Sequence, residues 1–176
     1  MLIPLALEIR PSPAFGGENK PMSLEETFRG WHKGFSSGKK EDWEKTFHSM
    51  YPTKKDLEYL FPRHAEKMWP VLEQDFQEKL KGLLKNGDKE ITANGAIKKI
   101  QPIDVRKDEN ARKRFAGALA TIPKQVPVFQ LAVEYERGTR TFADATACLR
   151  VQGRWFCIPE FAEFSPQMLE KLDLMK

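Results

Sequence analysis

The chain has 176 residues, 40% of them hydrophobic, which suits one domain with a substantial core. Its 29 basic and 25 acidic residues give a net charge of +4, and the basic ones fall in scattered pairs such as Lys39-Lys40, Lys54-Lys55 and Lys98-Lys99, as on a solvated surface. A nucleic-acid binder concentrates Lys and Arg on one face with stacking aromatics between them, so no nucleic-acid partner is expected.

The start, Met1 to Arg10, is apolar but too short to span a bilayer, which takes about 20 residues. It resembles the end of a secretory h-region, with Ser12-Pro13-Ala14 where a signal peptidase cuts, although the charged n-region is missing. Residues 1–21 are therefore expected to be a signal-peptide remnant or a flexible tail. The first places the protein in the periplasm or envelope, the second in the cytoplasm. Residues 22–165 are read as one α+β domain and 166–176 as a C-terminal tail or short helix.

Ser23-Leu24-Glu25-Glu26 is a capping box and opens a helix whose Leu24, Phe28, Trp31 and Phe35 share one face, with Ser36-Ser37-Gly38 as the stop. A second helix is predicted over 41–50, with Trp43, Phe47 and Met50 aligned and Pro52 ending it. Thr53 opens a short helix through Leu60 with Asp56 as the reciprocal cap. Beyond Pro62 the longest helical pattern carries Ala65, Met68, Leu72, Phe76, Leu80 and Leu83. Pro70 is expected to kink or split it, at a cost of about 3 kcal/mol, and Asn86-Gly87-Asp88 to stop it.

Residues 91–105 are read as a strand, with Pro102 marking an edge or a bulge. Residues 108–122 fit one amphipathic helix stopped by Pro123, its basic start being a solvated face with internal ion pairs. Val126 to Glu160 then reads as a three-strand antiparallel meander.

In the second hairpin of the meander, a Gln152-Gly153 loop pairs Val151 with Arg154, Leu149 with Phe156 and Cys148 with Cys157. Ala147, Leu149, Phe156 and Ile158 then fall on one face, and Thr146, Cys148, Arg150, Trp155 and Cys157 on the other. The cysteines land on a non-hydrogen-bonded pair, about 4.5 Å between α-carbons, within disulfide range near its short end. They are either a disulfide or two reduced, buried thiols.

The first hairpin leaves two registers open. A two-residue Gly138-Thr139 loop sets Arg137 against Arg140 and puts Phe129, Leu131, Val133 and Tyr135 on the face of Phe142, Asp144, Cys148 and Trp155, a mixed face with one carboxylate. An odd-length loop with a bulge puts them instead with Ala143, Ala145, Ala147, Leu149 and Phe156, a clean apolar face.

The three histidines, His32, His48 and His64, lie on different predicted helices, no cysteine or histidine pair has zinc spacing, and neither a metal nor a cofactor is expected. The mixed face suggests a small-molecule pocket lined by Trp31, Tyr135, Phe142 and Trp155, with Asp144 and Arg150 as polar anchors. The alternative is that these aromatics simply fill the core. Asp144 is the candidate general base should the domain be an isomerase- or cyclase-like enzyme, since desolvation among aromatics would raise its pKa; the alternative is a structural ion pair with Arg150 or Arg140. A third reading is an envelope interaction module that dimerises or docks through the Ala132, Ala143, Ala145 and Ala147 face.

Helices first, then an edge strand, a short helix and a meander ending in Gly153-Arg154-Trp155-Phe156 resembles the nuclear-transport-factor-2-like, cystatin-related α+β superfamily, whose small bacterial members often finish with such a strand. The resemblance covers about Ser23 to Glu160. It implies a cone-shaped sheet wrapped around a long helix, homodimers through the sheet and a pocket at the open end. Members include ketosteroid-isomerase-like and SnoaL-like enzymes, but the enzymes' Tyr/Asp catalytic pattern has no match in this sequence.

Overall fold

The structure, a computed structural model, describes residues 22–91, 95–137, 140–158, 160–161 and 164–174, with backbone alone for 88–91, 137, 140–145 and 172–174. Four helices come first: α1 (Leu24–Phe35), α2 (Lys40–Met50), α3 (Lys54–Leu60) and α4 (Ala65–Ile91). Strand β1 (Ala96–Asp104), helices α5 (Glu109–Arg114) and α6 (Ala116–Thr121), strands β2 (Val128–Arg137), β3 (Arg140–Val151) and β4 (Arg154–Cys157), and helix α7 (Pro166–Leu174) follow. The strands form one antiparallel sheet in the order β1-β2-β3-β4, so the fold is α+β.

Local signals start the helices where expected. Glu26 N–H donates to the Ser23 hydroxyl at 3.2 Å while the Glu26 carboxylate accepts from Ser23 N–H at 2.7 Å. Thr53 and Asp56 repeat the arrangement at α3. Both boxes satisfy amides that a helix start otherwise leaves without partners.

Of the two outcomes expected at Pro70, a kink or a split, the split does not occur: α4 runs unbroken through Pro70 in its second turn, where the position is exposed and water can serve the carbonyl that proline leaves without a donor. Nor does Asn86-Gly87-Asp88 stop it, since α4 continues to Ile91 and the following strand begins only at Ala96. Gly87 serves packing instead: a β-carbon there would lie 2.6 Å from the Trp43 ring. The absent side chain lets α4 press against α2. Gly34 does the same for α1, where a β-carbon would land on the buried Thr46 hydroxyl.

Residues 108–122 also depart from the single helix expected. Phe115, at φ −100° and ψ 15°, separates α5 from α6, and its buried ring stacks on Phe161 at 6.2 Å. The expected solvated face is there, with Lys113 paired to Glu109 at 2.7 Å.

In the sheet, β1 is an edge strand with a register shift between Ile97 and Lys99, so Pro102 costs no interior hydrogen bond. The β3–β4 register is the expected one, Cys148 with Cys157 and Val151 with Arg154. Gln152 at φ 50° and Gly153 at φ 82° both sit in the left-handed region, the signature of the tight hairpin turn that fixes this pairing. In the first hairpin Arg137 faces Arg140, Tyr135 faces Phe142 and Val133 faces Asp144, so the register with the mixed face holds. Residues 138–139 lie outside the described residues.

Both faces of the sheet are covered by helices. Val128, Leu149, Val151, Phe156 and Ile158 enter a large core with Leu57, Leu60 and Phe61 of the α3 region, Met68, Phe115, Phe161 and Phe164. Leu169 of α7 joins it, so the C-terminal helix is part of the packed unit. On the opposite face Leu131, Val133, Cys148 and Trp155 pack with Leu24 and Trp31 of α1. Among the described residues no helix is long and apolar enough to cross a membrane.

Candidate functional site

A cleft of about 810 Å³ opens where α1 and α2 meet the β3–β4 turn. Trp31 and Trp155 give it apolar walls; Thr27, Thr46, Ser49, Gln152, Lys45 and Arg154 supply polar groups at its edge. Each wall follows from the register above. Trp31 sits on the inward stripe of α1, and Trp155 points to the α1 side of the sheet because it alternates with Arg154 and Phe156.

Trp155 is held from several directions. Its indole N–H donates to the Met22 carbonyl at 3.1 Å, which ties the chain entering α1 to β4. Phe129 meets it edge-on at 5.6 Å and the Arg150 guanidinium lies 5.7 Å from its ring. A wall fixed this way loses little side-chain entropy when a ligand packs on it.

Arg154 ties three elements together. One terminal nitrogen donates to the carbonyls of Ser49 and Tyr51, each at 3.1 Å, and the other pairs with the buried carboxylate of Asp56. Asp56 also accepts from the Thr53 amide and hydroxyl, so one carboxylate caps α3 and anchors β4. With the charge of Arg154 met by Asp56, Lys45 is left as a cleft cation with no ion pair among the described residues.

Of the residues singled out by sequence, Trp31 and Trp155 meet at this cleft. Tyr135 belongs to the same hydrophobic cluster but stacks on His32 at 6.1 Å, away from the cleft lining. Arg150 contacts the Trp155 ring without lining the cleft. Asp144 pairs in backbone register with Val133 and Phe142 with Tyr135, while the side chains of both lie outside the described residues. Sequence reasoning missed Lys45, Ser49, Gln152 and Arg154 as cleft residues. Arg154 stood in the terminal motif, but its partners lie about a hundred residues upstream and leave no local signal.

The histidines are spread apart. His32 donates from Nε2 to the Gly95 carbonyl at 3.1 Å, which makes Nε2 the protonated nitrogen, and His48 lies 4.7 Å from the Phe76 ring. A second, more enclosed cavity of about 330 Å³ has Tyr51, Trp69 and Phe76 in its lining. No group of three or more His, Cys, Asp or Glu among the described residues could hold a metal ion.

Two neutral acids sit near the sheet. The Cys148 thiol is pushed well above its ordinary range by its hydrogen bond with Cys157 and by burial. Burial, with Asp75 and Cys157 adding, likewise raises the Tyr51 phenol. In both cases the unfolded chain loses its proton first, so the stabilisation is present below the ordinary pKa and lost as pH climbs towards the folded value. The reduced protein should therefore lose stability from about pH 8.5, at up to about 1.4 kcal/mol per pH unit for the buried Cys148, and somewhat more steeply above about pH 10, where the partly exposed and solvent-screened Tyr51 adds a smaller share. Urea midpoints from pH 7 to 10.5 measure this. Cys148→Ala should flatten the lower part of the curve, and a wild-type curve level to pH 10 would contradict the account.

Comparisons with protein-family models, with curated proteins and with solved structures found no match to this chain.

Proposed function

We propose that the protein is a binding domain of the nuclear-transport-factor-2-like, cystatin-related kind, which takes up a small amphipathic molecule with an anionic end in the cleft between α1, α2 and the β3–β4 turn. The observation that carries the reading is the cleft itself, lined by Trp31 and the anchored Trp155 beside Lys45, which has no ion pair among the described residues. Apolar walls with a few convergent polar groups are the usual make-up of a small-molecule site. The order of helices before sheet and the terminal Gly153-Arg154-Trp155-Phe156 strand support the family likeness.

The reading makes charge selectivity the test. Decanoate and decanol share a chain length and differ in the head group. Decanoate should change tryptophan fluorescence saturably, and Lys45→Glu should weaken it about tenfold, the value of one charge-assisted hydrogen bond, while decanol binding stays unchanged. Equal weakening of both, or a non-saturable response, would sink the proposal.

A further inference from the structure

Cys148 and Cys157 face each other across β3 and β4 with their sulfur atoms 3.0 Å apart, as free thiols. The β3 backbone fixes what kind of pair this is. Arg150 N–H donates to the Pro127 carbonyl, so the even-numbered residues of this part of β3 direct their amides at β2 and not at β4. Cys148 is one of these, which makes Cys148–Cys157 a non-hydrogen-bonded pair, the closer of the two kinds. Its α-carbon separation of about 4.5 Å lies near the short end of disulfide geometry. A bond can close there with little backbone movement, and cross-links away from relaxed geometry are the readily reduced ones.

The two thiols are not equivalent. Cys148 is fully buried in the cluster beneath α1, with Phe129 opposite it on β2, whereas Cys157 is only half-buried and lies near the end of β4. An oxidant in solution can reach the second and not the first.

We propose that Cys148 and Cys157 are a reversible oxidation site, in which a hydroperoxide oxidises Cys157 and Cys148 then closes the cross-strand disulfide. In the first step the Cys157 sulfur attacks the terminal peroxide oxygen, the O–O bond breaks, and the alcohol or water leaves with the thiol proton, giving Cys157 sulfenic acid. In the second, the Cys148 sulfur attacks the Cys157 sulfur, the S–O bond breaks, and hydroxide leaves as water with the Cys148 proton. Two thiols and one hydroperoxide thus become one disulfide, one alcohol and one water. Reopening takes two equivalents of a small thiol such as glutathione, which is oxidised to its own disulfide. The raised pKa of Cys148 agrees with its part as the later, resolving sulfur.

The experiment uses the full folded chain treated with hydrogen peroxide, quenched with acid, then alkylated in neutral denaturant and weighed by mass spectrometry. The expected product has lost two hydrogens, takes no alkylating label, and recovers both labels after native incubation with reduced glutathione. Cys148→Ala should instead accumulate a sulfenic acid on Cys157 that dimedone traps, and Cys157→Ala should react at least about tenfold more slowly than wild type. On the reduced wild type, brief native alkylation should label Cys157 before Cys148, a result independent of how either variant folds. Two free thiols surviving peroxide, a disulfide that glutathione reduces only after unfolding, or Cys148 labelling first would each overturn the proposal.

Discussion

Replacing Arg154 with alanine is expected to destabilise the fold by about 3 kcal/mol, read as a lower urea midpoint at unchanged slope. The guanidinium joins β4 to the carbonyls at the end of α2 and to Asp56 at the start of α3, so its removal uncouples the sheet edge from two helices. Asp56 is left buried with only the Thr53 donors to hold its charge. Losing one partner of a buried pair typically costs about 3–5 kcal/mol, and the lower end applies because the Arg154 side chain is 36% exposed and water can reach part of the site. The Arg154→Met, Asp56→Asn double variant should cost less than the sum of the single changes, since each single change strands the other group. A loss below about 1 kcal/mol for Arg154→Ala would mean the pair behaves as an ordinary surface salt bridge.

Gly87→Ala should cost about 2 kcal/mol, although glycine to alanine within a helix ordinarily stabilises by about 1 kcal/mol. The sign reverses because the added methyl would sit 2.6 Å from one atom of the Trp43 ring and 2.9 Å from another. Trp43 is 2% exposed and its indole N–H has no hydrogen-bond partner among the described residues, so packing alone holds the ring. Something must shift, and in a filled core such shifts cost about 1–3 kcal/mol. In a Trp43→Leu background the same glycine change should become neutral or stabilising. Thermal melts of the four proteins decide it, and a stabilised Gly87→Ala in the wild-type background would show that α2 and α4 are not pressed together there.

These two residues also mark the limit of what the sequence could say. Capping boxes act over three residues, so Ser23 with Glu26 and Thr53 with Asp56 were legible, and with them the starts of α1 and α3. The β3–β4 register was legible for the same reason, since a tight Gln152-Gly153 turn and strand alternation settle every pair up to the cysteines. Gly87 carries the same letter whether it ends a helix or admits a tryptophan, and the choice lies with Trp43, more than forty residues away. The first hairpin stayed open because like charges at Arg137 and Arg140 argued against the register that the strands adopt. Trp31 and Trp155 were found for the cleft because strand and helix periodicity aims them inward. Lys45, Ser49 and Arg154 were not, because the cleft exists only once α2 packs beside β4.

The central claim is that this cleft receives a ligand, and Gly30 offers the most direct test. It lines the cleft on the exposed side of α1, and a β-carbon there meets no atom within 4 Å. Gly30→Leu can therefore fill the space without disturbing the packing, with a helix-propensity gain approaching 1 kcal/mol. Titrating decanoate against wild type and Gly30→Leu by tryptophan fluorescence, alongside their melting temperatures, separates blockage from unfolding. The account predicts a variant at least as stable as wild type whose affinity falls at least about tenfold; a stable variant that binds like wild type would contradict it.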